Sequence, residues 1–311
     1  MKYNNSFVFK VRFSFLLFST CVVLFSCQSK SESKLKTSVP VNDAIEMPFA
    51  DTLSNNWIVV KASVNHQPAF LLLDNGTSST TELILFDHYA KSRSIIDTLK
   101  PIAVEMKRIE KMPTPVSINN FYDTLKTELL VFHNAPVEKQ PDGILGKGFL
   151  TKYLVEIDYD KRMLKLHDTL NYRVPSGFKQ VLLTPLGPFY KFNADIFING
   201  ERISESLCLD LGSSLDGLLF GFKFYNKYKD RLKIDAGKTT EVYTVFSKSK
   251  GARLMIDSLN IGGCEIKDIA STVEVESSVS YYSASIGNAV LRHFGRVFFD
   301  LRNNKMYLPA E

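Results

Sequence analysis

An apolar run, Phe70-Leu71-Leu72-Leu73, drives into Asp74-Asn75-Gly76-Thr77-Ser78-Ser79, and 136 residues later Leu207-Cys208-Leu209 drives into Asp210-Leu211-Gly212-Ser213-Ser214. An acid at the end of one apolar strand is ordinary, because it accepts hydrogen bonds from the turn that follows. The same grammar twice in one chain implies two similar lobes, each presenting one carboxylate. The surroundings repeat as well. Ile144-Leu145-Gly146 ends 72 residues after Asp74, and Ser285-Ile286-Gly287 ends 77 residues after Asp210. Val155–Leu166 and Arg296–Leu308 then follow as hairpins, with Asp158 and Asp300 lying 12 and 13 residues past the glycines as turn residues. A period this long means a duplicated lobe and not a solenoid of short repeats.

The 311 residues suffice for one large or two medium domains. Phe (23) and Tyr (13) are plentiful and β-branched residues are spread throughout, which favours strands. Strands are expected at Trp57–Val64 and Ala69–Leu73, with a turn at Asn65-His66-Gln67-Pro68 between them. A short helix is expected over Thr81–Ala90, and hairpins over Ile102–Phe132. In the second half, Asn199-Gly200 is a hairpin turn signal ahead of the Asp210 strand. The boundary between lobes falls in the Pro/Gly-containing stretch Asn171–Lys179, giving lobes of 47–172 and 173–311.

The N-terminus reads as a targeting segment over residues 1–26. Lys2, Lys10 and Arg12 precede the apolar stretch Phe13–Phe25, and Ser26-Cys27 follows. Leu24-Phe25-Ser26-Cys27 resembles a bacterial lipobox, which implies cleavage before Cys27, lipid on its thiol and anchoring in a bacterial cell envelope. The alternatives are a plain secretory signal and an uncleaved anchor. Residues 27–46 are Ser/Lys-rich and read as a tether, with order beginning near Met47. The three leader cations account for most of the net charge of +5, leaving +2 for residues 27–311 and no basic stripe for nucleic acid. Cys208 and Cys264 remain either as a disulfide, which an oxidising compartment permits, or as buried thiols acting as small hydrophobes.

Other chemistries find no pattern. The five histidines (His66, His88, His133, His167, His293) are scattered without a zinc-binding spacing, and no Gly-x-Ser-x-Gly elbow is present. Lys147 and His293, just past the two Gly segments, read as surface positions.

With two Asp-x-Gly-hydroxyl-Ser motifs and their answering Gly segments, residues 57–308 resemble an aspartic peptidase, in particular the bacterial secreted retropepsin-like and pepsin-like forms with two lobes fused. The resemblance implies a mainly β fold of two pseudo-symmetric barrel lobes, a few short helices and a cleft between the lobes. It implies Asp74 and Asp210 as catalytic acids, and Gly76, Thr77, Gly212 and Ser213 as the residues facing substrate. It implies a peptide or protein substrate, no metal or organic cofactor, and a monomer. Gly76 and Gly212 would let the backbone turn tightly and offer N–H groups to the carboxylates. The Gly146 and Gly287 segments would support the loops from beneath. The chain departs from that family directly after each Asp, where a Thr or Ser hydroxyl usually bonds across to the other lobe. Asn75 can still do so; Leu211 cannot. The alternatives are therefore an inactive peptide- or partner-binding relative, and a structural protein whose Asp residues merely close turns. For a flap aromatic, Tyr122 and Tyr243 are the candidates, with packing inside a strand as the other role for each.

Overall fold

The computed structural model describes residues 44–50, 56–92, 108–118, 121–130, 141–232, 234, 239–243, 248–276 and 283–310. The leader, Cys27 and nearly all of the tether lie outside the described residues. The first half runs β1 (Ile45–Ala50), β2 (Val59–Val64), β3 (Gln67–Leu73), β4 (Leu83–Phe86), α1 (Asp87–Ser92), β5 (Arg108–Ile118), β6 (Phe121–Leu130), β7 (Gly143–Leu145), α2 (Lys147–Leu150), β8 (Leu154–Asp158) and β9 (Met163–His167). The second half runs β10 (Phe178–Leu182), β11 (Thr184–Leu186), β12 (Phe189–Ile198), β13 (Glu201–Leu209), β14 (Leu219–Phe220), α3 (Phe222–Leu232), β15 (Thr239–Tyr243), β16 (Lys248–Ile261), β17 (Cys264–Glu274), β18 (Ala284–Ile286), α4 (Asn288–Leu291), β19 (Arg296–Asp300) and β20 (Lys305–Pro309).

Two barrels result, and their strand orders correspond one to one. The first is β2-β3-β7-β4-β6-β5, closed by pairing of β2 with β5; the second is β12-β13-β18-β14-β17-β16, closed by pairing of β12 with β16. Closure removes the open edges that a sheet of this size otherwise exposes. The hairpins that start each barrel use the same turn chemistry. Asn65-His66 and Asn199-Gly200 all take positive φ (48°, 63°, 53° and 76°), the twist that two-residue hairpin loops require.

Between the barrels lies a third layer, β10-β20-β19-β8-β9-β1, in which strands of both halves share one antiparallel sheet. Its centre is the β8–β19 pairing, from Val155 opposite Phe299 to Asp158 opposite Arg296. Buried Glu156 on β8 sits 2.7 Å from His167 Nε2 and 3.6 Å from Arg296 Nε, so an ion cluster crosses the seam. Asp158 and Asp300 accept from Lys161 N–H and Asn303 N–H in their turns.

Strand β1 begins at Ile45, opposite Leu166, two residues ahead of the expected start. Thr81–Ala90 is not one helix: Leu83–Phe86 is a strand between β7 and β6, and α1 starts only at Asp87. The apolar run Leu83-Ile84-Leu85-Phe86 has no helical gap, and its two alternating faces both find cover. Cys208 and Cys264 are buried free thiols, and Cys264 Sγ donates to Pro309 O at 3.0 Å.

Candidate active site

Both acids arrive by the same device. Parallel pairing sets Leu73 beside Leu145 and Leu209 beside Ile286. Each ladder then extends by one bond, Asp74 N–H to Leu145 O (3.1 Å) and Asp210 N–H to Ile286 O (2.9 Å). Each carboxyl folds back over its own loop: Gly76 N–H donates to Asp74 Oδ1 at 2.6 Å and Gly212 N–H to Asp210 Oδ1 at 3.1 Å. The Gly segments do lie against the loops. A Cβ on Gly146 would meet Thr77 Oγ1 at 2.6 Å, and one on Gly287 would meet Ser213 Cβ at 2.8 Å.

The two loops meet. A Cβ on Gly212 would lie 2.6 Å from both Cγ and Oδ2 of Asp74, so the Asp74 carboxyl rests on the loop that carries Asp210. Gly76 and Gly212 are needed for this close approach and not for a left-handed backbone, since neither has a positive φ. The acids are partly accessible but crowded. Burial raises the pKa of Asp74 against the pull of the Gly76 N–H. Burial, and then the charge of Asp74, push Asp210 up to about 7 against the pull of the Gly212 and Ser213 N–H groups. Two buried carboxyls, one of them raised further by the charge of the other, do not readily ionise together and titrate as a pair.

Asn75 braces the opposite acid loop from both sides. Fully buried, it donates from Nδ2 to Leu209 O (2.9 Å) and accepts at Oδ1 from Leu211 N–H (2.7 Å). One amide, with a donor and an acceptor on the same fork, thus satisfies the backbone on both sides of Asp210. Leu211 itself offers no hydroxyl to bond across to the other lobe. The structure replaces the missing hydroxyl otherwise: Leu211 is buried, and its carbonyl accepts from Asn288 Nδ2 (2.7 Å), whose Oδ1 in turn accepts from Tyr159 O–H (2.9 Å).

Lys147 occupies the position in the first lobe that Asn288 holds in the second. It is buried, against the surface position expected for it, whereas His293 is exposed. Its backbone N–H donates to Thr77 Oγ1 (2.7 Å), its Nζ donates to Pro188 O (3.1 Å), and the ammonium stands 4.0 Å over the Tyr190 ring. Burial lowers its pKa. Thr77 is accordingly a buried loop brace, while Ser213 stays partly exposed beside Asp210.

The face of β3 turned away from the main core carries a second apolar cluster. Along β3, Leu71 and Leu73 point into the barrel core, whereas Phe70, Leu72 and Asp74 alternate onto the other face. There Val59, Leu72, Phe86 and Ile144 form a cluster separate from the main core, flanked by Trp57 and Ile84. Tyr122 is half exposed on β6, opposite Ser117, at the end of the barrel where β5 meets the β2–β3 turn and away from Asp74. Tyr243 ends β15 opposite Lys248.

Gly212→Ala tests the close approach. The backbone there accepts alanine, so the chain will fold, at a cost of about 1–3 kcal/mol for the added methyl. A crystal structure of the variant should find the Asp74 carboxyl displaced; an unmoved carboxyl would contradict the packing described above.

No protein-family model and no curated protein sequence matches the chain. Among solved structures, the aspartic proteinase from Irpex lacteus has a similar fold, with a TM-score of 0.53 and 14% identity over 86% of this chain and 97% of its own. A retropepsin-like aspartic protease from Rickettsia conorii aligns with 42% of this chain and 88% of its own, at 21% identity and a TM-score of 0.30. The fold is thus that of a two-lobed pepsin-like protein.

Proposed function

We propose that this chain is an aspartic endopeptidase that binds an extended peptide between its lobes and hydrolyses it with Asp74, Asp210 and one water. The observation that carries this reading is the meeting of two carboxyls from equivalent loops, each raised by burial and one by the other's charge. In the working state the pair shares one proton. The charged carboxylate takes a proton from the water as its oxygen bonds to the peptide carbon, and the other carboxyl protonates the carbonyl oxygen. The resulting gem-diol collapses as the C–N bond breaks: the leaving nitrogen takes the proton the base had received, and the other carboxylate takes a proton from a gem-diol hydroxyl, so the pair again holds one proton. No covalent enzyme intermediate forms and no cofactor takes part.

The active reading is supported by Asn75, whose amide bonds the backbone on both sides of Asp210 where Leu211 offers no hydroxyl. The test is digestion of a broad peptide library by the full chain in detergent from pH 3 to 8, beside an Asp74→Asn, Asp210→Asn double variant. Cleavage by the native chain alone is the expected result. No cleavage by folded native protein would leave a peptide-binding protein, and equal cleavage by both would place the active site elsewhere.

The proposal extends to the N-terminus: Cys27 carries lipid and tethers the enzyme to a bacterial membrane. Lipid labelling should be lost in Cys27→Ser, with the protein released from the membrane fraction. Retained labelling would refute the site.

A further inference from the structure

The two acid loops are each held from the opposite lobe, and the two holds differ. Trp57, ahead of β2, donates from Nε1–H to Gly212 O at 2.9 Å. Phe189, at the start of β12, presses its ring on the other loop. A Cβ on Gly76 would lie 2.6 Å from Phe189 Cε1 and 3.0 Å from Asp74 Oδ1, the oxygen to which the Gly76 N–H donates. Ring edge and carboxyl thus flank one point on the loop. A phenyl ring makes no directional bond, so its placement depends on the backbone that carries it.

Lys147 fixes that backbone. Its Nζ donates to Pro188 O at 3.1 Å and stands 4.0 Å over the Tyr190 ring, so it touches the residues on both sides of Phe189. Tyr190 is itself tied down, since its O–H donates to Leu301 O at 3.0 Å. The Lys147 backbone N–H donates to Thr77 Oγ1, one residue past Gly76. One residue of the first lobe therefore binds the Asp74 loop directly and also holds the segment that presses on that loop from the second lobe.

The charge at this place has a cost. Burying an ammonium is unfavourable unless a counter-charge compensates. Burial lowers the pKa of Lys147, and no neighbouring charge raises it. The fold does not demand a cation there. Helices α2 and α4 start alike, after Gly146 and Gly287, yet the first residue of α4 is the neutral Asn288. What differs is the task. The Asp210 loop receives an indole N–H, whereas the ring on Gly76 needs its backbone held, and a charged donor grips a carbonyl more strongly than a neutral one.

We propose that Lys147 is a positioning residue, whose ammonium clamps Pro188 and Tyr190 so that the Phe189 ring keeps Gly76, and with it the Asp74 carboxyl, in place. The consequence for rate rests on the peptidase reading; the clamp itself does not.

Hydrogen exchange of the full chain in detergent, read by mass spectrometry over residues 74–77 and 210–213, tests the clamp. Lys147→Met fills the same space, removes the buried charge and keeps the backbone bond to Thr77, so it should fold. Its exchange over 74–77 should be about ten-fold faster, the worth of one hydrogen bond from a charged donor, with 210–213 unchanged. Phe189→Ala should do the same. The double variant should exchange no faster than the quicker single, because both changes break one clamp. Lys147→Gln, too short to reach Pro188 in the same way, serves if the methionine chain does not fold and should read alike. Both segments loosening together, two effects that multiply in the double variant, or a 74–77 segment unmoved by the Lys147 change would overturn the proposal. If the native chain cleaves peptides, Lys147→Met should lower kcat about ten-fold and change KM by roughly two-fold or less, since a reacting group is displaced and no substrate contact is lost. A raised KM with kcat unchanged would put Lys147 in substrate binding and overturn the proposal as well. No cleavage by the native chain would count against the peptidase reading alone, and the exchange rates would still decide the clamp.

Discussion

Asp210→Asn will fold, will lose about three orders of magnitude in peptide hydrolysis, and will be more stable than the native chain at neutral pH. The loss of rate follows from removing one of two groups that move protons in the same step, where each such group contributes on the order of 10²–10⁴. The gain in stability follows from proton linkage. Folding holds Asp210 up to about 7 from its ordinary 3.8, so the folded chain binds more protons than the unfolded chain between those values. Stability therefore falls as pH rises through that window, and it is fully present only below it. An asparagine cannot ionise and does not suffer the loss. The variant should melt at a higher temperature at pH 7–8, by an amount equivalent to on the order of 2 kcal/mol, and the advantage should vanish by pH 3. Thermal melts across pH 3–8 read this without any substrate. A variant less stable than native at pH 7 would mean that Asp210 is an ordinary turn acid whose charge the fold needs, and the catalytic reading would go with it.

Asn75→Leu is expected to be the most damaging change of a single uncharged residue at the site. It removes two buried hydrogen bonds and orphans Leu209 O and Leu211 N–H, neither of which water can reach easily. Orphaned buried groups cost about 1–3 kcal/mol each, so a loss of about 2–5 kcal/mol is expected. Cleavage should fall further than stability accounts for, because the same bonds set where Asp210 stands against Asp74. The informative partner is Leu211→Ser. Leu211 is fully buried in the main core, so Leu211→Ser should cost about 2–5 kcal/mol of stability, while the rate of the molecules that stay folded should be nearly unchanged. Denaturant melts and single-turnover rates of both variants would decide. A harmless Asn75→Leu, or a large gain from Leu211→Ser, would show that the support had been assigned to the wrong residue.

What the chain discloses in one dimension and what it conceals divide along contact range. Asp74, Asp210, the two Gly segments and the terminal hairpins were legible because each is a local pattern and each occurs twice. Asn199-Gly200 announced its turn because few residues tolerate that backbone. The strand at Leu83–Phe86 was read as helix because four successive apolar residues fit either period. The roles of Asn75, Lys147 and Trp57 were not legible, since their partners lie 134, 41 and 155 residues away in sequence. Lys147 carries a charge that composition assigns to the surface, and only the Pro188 carbonyl and the Tyr190 ring make its burial tolerable. Leu211 misled because one loop was judged without the other: its missing hydroxyl is replaced by an amide on the opposite side of the seam.

That one-sided clasp also bears on ancestry. A chain of two like lobes invites descent from a single lobe that once worked as a symmetric pair. Two copies of the present second lobe, brought together in the same way, would set Leu211 against Leu211 and leave four buried backbone groups unpaired at the centre. Two copies of the first would bring two amides to a seat that now holds one. With Asn75 making both bonds and leucine at 211, the halves are unlike where the two acid loops meet. The second half could not serve as its own partner without a side chain at 211 able to bond across the seam, so the fused arrangement depends on the first half's Asn75.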